Sequence, residues 1–231
     1  METSIKENLI KLKEKIERAA ERAGRDPKEI KLVAVSKTVP PSRILEAIEA
    51  GVSILGENRV QEAEAKIEAI GHSVSWHLIG HLQSNKAKKA ASLFEAIHSI
   101  DSVKIARKLD SYLEALGKKM EAFIQLNLGG EETKSGITEE ELPTLLTEIN
   151  KLSHLKVIGL MTIPPFLPDP EDVRPYFKRL RELRDEVNRK GIPGIHLSEL
   201  SMGMSHDFEV AIEEGATFIR VGTAIFGPRR R

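Results

Sequence analysis

The chain contains no cysteine. That excludes thiol nucleophiles, disulfides and cysteine-ligated metals, and it leaves the redox compartment open. Net charge is absent as well, because 35 Lys plus Arg balance 35 Asp plus Glu. So balanced a chain presents no broad field for a polyanion, and a nucleic-acid partner is not expected. The Arg229-Arg230-Arg231 tail is too short to change that. No apolar run approaches the roughly 18 residues of a membrane-spanning helix, so no membrane is expected either. Met1 to Lys15 is charged and helical in pattern and lacks the apolar centre of a secretory signal. These absences leave a cytoplasmic chain of 231 residues, enough for one sizeable core and short for two full domains.

What is there is an alternation. Ile5, Leu9, Leu12, Ile16 and Ala20 recur at helical spacing, and Gly24 ends that helix. Short apolar runs follow at Lys31–Lys37, Val52–Leu55, Val74–Ile79, Phe94–Ile100, Glu121–Leu128, Lys156–Thr162, His196–Met202 and Thr217–Val221. Amphipathic helices separate them. Leu32-Val33-Ala34-Val35 is nearly continuous, as strands buried on both faces of a parallel sheet are. Eight such strands alternating with helices predict an α/β fold: a single (β/α)8 TIM-type barrel with an extra N-terminal helix. An open doubly wound sheet is the alternative. No linker or low-complexity tract divides the chain, so residues 1–231 read as a single domain.

In such barrels ligands bind at the carboxyl ends of the strands. The polar residues predicted there are Lys37, Asn58, His81, Asn127, Thr162, Ser205, Arg220 and Thr223. Lys37 closes the first strand. A lysine partly desolvated there has its charged form disfavoured, and a neutral amine condenses with aldehydes. The alternative is a lysine that merely reaches solvent. Asn58 either caps the following helix or contacts a ligand. His77 reads as a hydrogen-bonded interior residue. His81 reads as solvent-exposed, and His72, His98 and His154, without metal-ligand spacing, read as structural. Lys86, Lys88 and Lys89 read as a solvated helix face, and Met202 and Met204 as packing around a turn.

Two stretches stand out, Leu200-Ser-Met-Gly-Met-Ser205 and Phe218-Ile-Arg-Val-Gly-Thr-Ala-Ile-Phe-Gly227. They follow the seventh and eighth strands, where barrels bind phosphate. Gly222 lets a backbone approach an anion, while Ser205 and Thr223 add hydroxyls beside free N–H groups. Two ordinary glycine turns are the alternative. Arg220 sits between Ile219 and Val221, where a fixed charge is costly without a partner. It serves either a structural ion pair or a cofactor ring nitrogen or anion. Lysine, phosphate cradle and arginine together describe a pyridoxal phosphate site.

The chain resembles the pyridoxal phosphate homeostasis protein family, related to the N-terminal barrel of alanine racemase. The resemblance rests on Ala34-Val-Ser-Lys-Thr38, Leu55-Gly-Glu-Asn58, Trp76-His-Leu-Ile-Gly-His-Leu-Gln-Ser-Asn-Lys86, Lys134-Ser-Gly136, Gly159-Leu-Met161 and the two stretches above, in family order. It implies pyridoxal 5'-phosphate held as a Schiff base on Lys37. It further implies that Ser205, Gly222 and Thr223 hold the phosphate, that Arg220 faces the ring nitrogen, and that Asn58 lies near the cofactor. Lys134 falls in a matching loop without an assigned role. Ser205 is followed by His206-Asp207 where the family often has an acidic pair.

Alanine racemases add a β-rich domain that supplies a catalytic tyrosine. Here the only tyrosines, Tyr112 and Tyr176, fall in predicted helices away from the rim. The resemblance therefore implies an intracellular carrier acting in vitamin B6 homeostasis without catalytic turnover. It is expected to be monomeric and to serve pyridoxal phosphate-dependent apo-enzymes. A racemase-type enzyme using the cofactor, and a Schiff-base aldolase using Lys37 alone, are the alternatives.

Overall fold

The computed structural model describes residues 4–131 and 135–228. Lys134 and the arginine tail lie outside them. Ser4 opens the first helix, α1 (Ile5–Arg22), by accepting a hydrogen bond from the Glu7 amide at 3.1 Å. Its apolar stripe Ile5, Leu9, Leu12, Ile16, Ala19 and Ala20 is buried. The alternation then runs β1 (Lys31–Val35), α2 (Pro41–Glu49), β2 (Ile54–Glu57), α3 (Val60–Ile70), β3 (Ser75–Leu78) and α4 (Ala87–Leu93). It continues through β4 (Ala96–Ile100), α5 (Val103–Leu116), β5 (Met120–Leu126), α6 (Leu142–Ile149) and β6 (Leu155–Thr162). The last units are α7 (Arg174–Lys190), β7 (Glu199–Ser201), α8 (Phe208–Glu213), β8 (Phe218–Val221) and α9 (Thr223–Phe226).

All eight strands are parallel and ordered β1 to β8 in a closed barrel. The seam is the β1–β8 ladder, from Lys31 opposite Phe218 to Ala34 opposite Val221. Closure there excludes the open sheet. Two apolar layers explain why the strands read as continuous runs. Outward residues such as Leu55, Trp76, Ile97 and Ile219 pack under the helices. Val33, Ile79, Phe123, Ile158, Met161 and Phe218 fill the interior. Period-2 alternation along β8 thus aims Ile219 and Val221 at the helices and leaves Phe218 and Arg220 for the inside.

Several boundaries differ from the sequence pattern. β1 stops at Val35, and Lys37 lies in a turn beyond it, with Thr38 at φ 64°. β2 begins at Ile54 because its ladder with β3 starts there, while Val52 packs into the outer core instead. β7 begins only at Glu199. The Asn188 side chain of α7 holds both the Leu197 amide (2.9 Å) and its carbonyl (2.8 Å), so that residue is tied to the helix rather than to a neighbouring strand.

The extra helix α1 braces the seam. It packs on α2, α8 and α9. Arg22 bonds Glu213 at 2.7 Å and Glu209 at 3.1 Å. Arg25 donates to the carbonyls of Ile212 and Ala216, each at 2.8 Å, and Asn8 to the carbonyl of Ile225 at 2.9 Å. Among the described residues no helix is long and apolar enough to cross a membrane.

Candidate functional site

A cleft of about 560 Å³ opens at the carboxyl ends of the strands. Lys37, Asn58, Ser205, Arg220, Gly222 and Thr223 all line it. His81 joins them on the rim. Asn127 and Thr162 do not. Asn127 donates to the Glu131 carbonyl at 2.9 Å, and the buried Thr162 hydroxyl donates to the Leu126 carbonyl at 3.1 Å.

Lys37 is half-buried, and its backbone is clamped from behind. The Lys66 ammonium donates to the Ser36 carbonyl (2.6 Å), to Glu57 Oε1 (2.7 Å) and to Glu62 Oε1 (2.7 Å). Ser36 Oγ also donates to Glu57 Oε1, at 2.6 Å. Glu62 Oε1 accepts the Thr38 amide at 2.5 Å. A left-handed threonine costs about 1–3 kcal/mol and persists only where its surroundings over-determine it. Here a buried cation and two carboxylates do so. Burial raises the Glu57 pKa, opposed by hydrogen bonds from Lys66 and Ser36. Sequence reasoning missed this cluster. The Glu62–Lys66 spacing of one helical turn was the available signal, although alone it reads as a surface pair.

Asn58 lines the cleft and does not cap α3, whose N-cap is Arg59 without a side-chain bond. Its backbone presses against Gly80: a Cβ there would lie 2.3 Å from the Asn58 carbonyl oxygen. The turn after β7 is shaped by Gly203, at φ 92°, where a Cβ would lie 2.6 Å from that of Ala211. Ser205 Oγ lies at the convergence of two amides, accepting from Gly222 at 3.3 Å and Ala224 at 3.4 Å. An oxygen therefore already occupies the focus of these N–H groups, the arrangement an oxyanion needs. The His206-Asp207 departure leaves this turn intact, because Asp207 Oδ1 accepts the Met204 amide at 2.6 Å. Met204 is half-buried and also lines the cleft, while Met202 is fully buried.

Arg220 is 3% exposed, and among the described residues it has no ion-pair partner. The expected alternative of a structural ion pair is therefore absent. Its guanidinium donates to Ser201 Oγ at 2.7 Å and to the Thr162 carbonyl at 2.8 Å, and it still faces the cleft. Burial lowers its pKa to about 10, with Asp207 opposing, so it remains a cation at neutral pH.

Beneath it, Ser201 Oγ meets His98 Nδ1 at 2.7 Å, and His98 Nε2 meets His77 Nδ1 at 2.9 Å. Burial lowers the His77 pKa to about 4 and holds that of His98 well below the ordinary imidazole range, so both rings are neutral. No metal-binding cluster occurs among the described residues. On the rim, His81 Nδ1 pairs with Asp101 Oδ2 at 3.1 Å, and burial raises the pKa of that carboxyl. Phe166, 75% exposed, packs against His206 at the cleft mouth, 5.1 Å between ring centroids.

Fold and cleft together define a barrel of one known class: the family described as "Alanine racemase, N-terminal domain" matches residues 8–230. A pyridoxal phosphate homeostasis protein of Aquifex aeolicus (strain VF5) is 48% identical over 225 residues, which are 97% of this chain and 98% of that protein. The protein of the same name from Escherichia coli (strain K12) is 43% identical over 229 residues, 97% of each. The solved structure of PipY from Synechococcus elongatus PCC7942 with PLP bound is 39% identical, with a TM-score of 0.82, over 92% of this chain and 100% of that one. The chain belongs to the pyridoxal phosphate homeostasis protein family.

Proposed function

We propose that this protein binds pyridoxal 5'-phosphate as a Schiff base on Lys37 and acts in intracellular vitamin B6 homeostasis, without catalytic turnover. The observation that carries the reading is the convergence of a half-buried amine, a set of hydroxyl and amide donors, and an ion-pair-free buried guanidinium on one cleft. These groups fit the three polar ends of the cofactor. When bound, the cofactor supplies an aldehyde that condenses with the Lys37 amine, releasing one water, and a ring able to accept electron density.

The residues explain why holding would dominate over turnover. Arg220 stays protonated and offers only N–H donors, so facing a ring nitrogen it would leave that nitrogen unprotonated and the ring a poorer electron sink. Tyr112 and Tyr176 pack against the outer core in α5 and α7, away from the cleft. Ser205, Gly222 and Thr223, which line the cleft, would hold the phosphate, while Asn58 lines the same cleft at the carboxyl end of β2. Pyridoxal phosphate-dependent apo-enzymes are the recipients such a carrier would serve.

One observation favours an enzymatic second reading, the His81–Asp101 pair. A carboxylate orienting a histidine on the rim of such a cleft is the geometry of a proton-transfer pair.

Borohydride reduction of the loaded protein, followed by peptide mapping, tests the main reading. The adduct is expected on Lys37, and Lys37→Ala abolishes the Schiff-base absorbance. An unchanged spectrum in that variant would place the anchor elsewhere. Solvent deuterium entering the α-carbon of a free amino acid, and lost on His81→Gln, would favour the second reading. A colourless protein that takes up no pyridoxal phosphate would leave only a Lys37 aldolase.

A further inference from the structure

The barrel interior carries a polar chain that the cofactor reading meets only at its first member, Arg220. It runs from Arg220 through Ser201, His98 and His77 to Ser75, with contacts of 2.7, 2.7, 2.9 and 3.0 Å. Arg220, Ser201, His98 and His77 are all buried. Ser75 lies at the start of β3, at the amino end of the barrel opposite the cleft.

The direction of every proton in the chain follows from its first member. A guanidinium has only donors, so Ser201 Oγ must accept from Arg220. The hydroxyl has one hydrogen, and among the described residues His98 Nδ1 is its only acceptor. His98 Nδ1 therefore carries no proton, and its Nε2 does. That Nε2–H donates to His77 Nδ1, so His77 is likewise protonated on Nε2 and donates to Ser75 Oγ. The reverse polarity, with His98 Nδ1–H donating to Ser201, leaves a buried hydroxyl hydrogen without an acceptor. The stack of His98 on Phe123, 4.2 Å between centroids, keeps its ring from turning out of line.

We propose that Ser201 and His98 are positioning residues: with His77 and Ser75 they form a one-way hydrogen-bond chain, polarised by Arg220, that holds its guanidinium at the cleft floor. The polarity stands on the protein alone, whereas its effect on a bound ring rests on the function proposed above.

Nitrogen-15 correlation spectra of the cofactor-free protein, recorded with histidine labelling, read the tautomers directly. The expected result is a proton on Nε2 and a pyridine-type Nδ1 in both His77 and His98. A proton on Nδ1 of either ring overturns the proposal. Ser201→Ala should release the constraint and bring a second tautomer into His98, while Ser201→Thr, which keeps the hydroxyl, should retain the wild-type pattern. Unchanged tautomers in Ser201→Ala overturn the proposal as well.

The second readout is the absorption maximum of added pyridoxal phosphate bound to each protein. A shift in Ser201→Ala with recovery in Ser201→Thr supports the positioning role, and identical spectra refute it. If the wild type takes up no cofactor, the proposed function fails, and the chain is judged on its tautomers.

Discussion

Replacing Lys66 with methionine isolates the clamp behind Lys37. The ammonium makes three hydrogen bonds of 2.6–2.7 Å, two of them to carboxylates. Glu57 is wholly buried, and its Oε2 has no partner among the described residues. Without Lys66, Glu57 Oε1 keeps only the Ser36 hydroxyl. Removing one partner of a buried pair costs about 3–5 kcal/mol, because the other is left uncompensated. In a chain of this size that is a loss of about 6–20 °C in Tm.

The loss should depend on pH. Burial already raises the Glu57 pKa, and losing the Lys66 bond raises it further. A carboxyl whose folded pKa lies above its unfolded value of about 4.3 stabilises the protein while protonated, and that contribution is lost as pH rises through the folded pKa. The deficit of Lys66→Met should therefore be smaller near about pH 5 than near about pH 8 in urea denaturation. Adding Glu57→Gln, which removes the stranded charge, should recover more than half of it. A deficit under about 1 kcal/mol, insensitive to pH and to Glu57→Gln, would refute the buried-pair account.

Thr223→Ala should weaken cofactor retention by about 1–3 kcal/mol, read by fluorescence titration, and unaltered affinity would remove Thr223 from the phosphate contacts. Gly80→Ala forces a methyl against the Asn58 backbone, with 2.3 Å to its oxygen and 2.8 Å to its Cα. It should cost about 1–3 kcal/mol in urea and displace Asn58, so an unchanged midpoint would contradict that contact. His77, with its pKa lowered to about 4, binds fewer protons when folded than unfolded. The contribution of His77 to stability should thus be full above about pH 6.5 and fall by about 3 kcal/mol as pH drops to 4. His77→Gln should flatten that slope, and a slope identical to wild type would show that other groups set it.

The eight strands were legible because each lies between two apolar layers and is a dense apolar run in the sequence. Their ends were less so. Asn188 reaches forward to Leu197 across nine residues, and nothing in the pattern of β7 announces it. The cleft residues were legible where chemistry made them odd: Arg220 in an apolar strand, and Ser205 and Thr223 beside glycines. Glu57, Lys66 and Glu62 were not, because each is an ordinary charged residue until the fold buries it. His98 was read as structural, which left its bonds to Ser201 and His77 undescribed, since those partners come from β7 and β3.

The brace of α1 across the β1–β8 seam bears on how the chain comes into being. Asn8 grips the Ile225 carbonyl, just past Thr223, so a segment made before β1 waits for one made after β8. Until β8 arrives there is neither a closed cylinder nor Arg220 within it. A chain made only as far as β7 thus presents Lys37 without the walls that complete the cleft, and on the function proposed above capture of the cofactor belongs to the closed barrel alone.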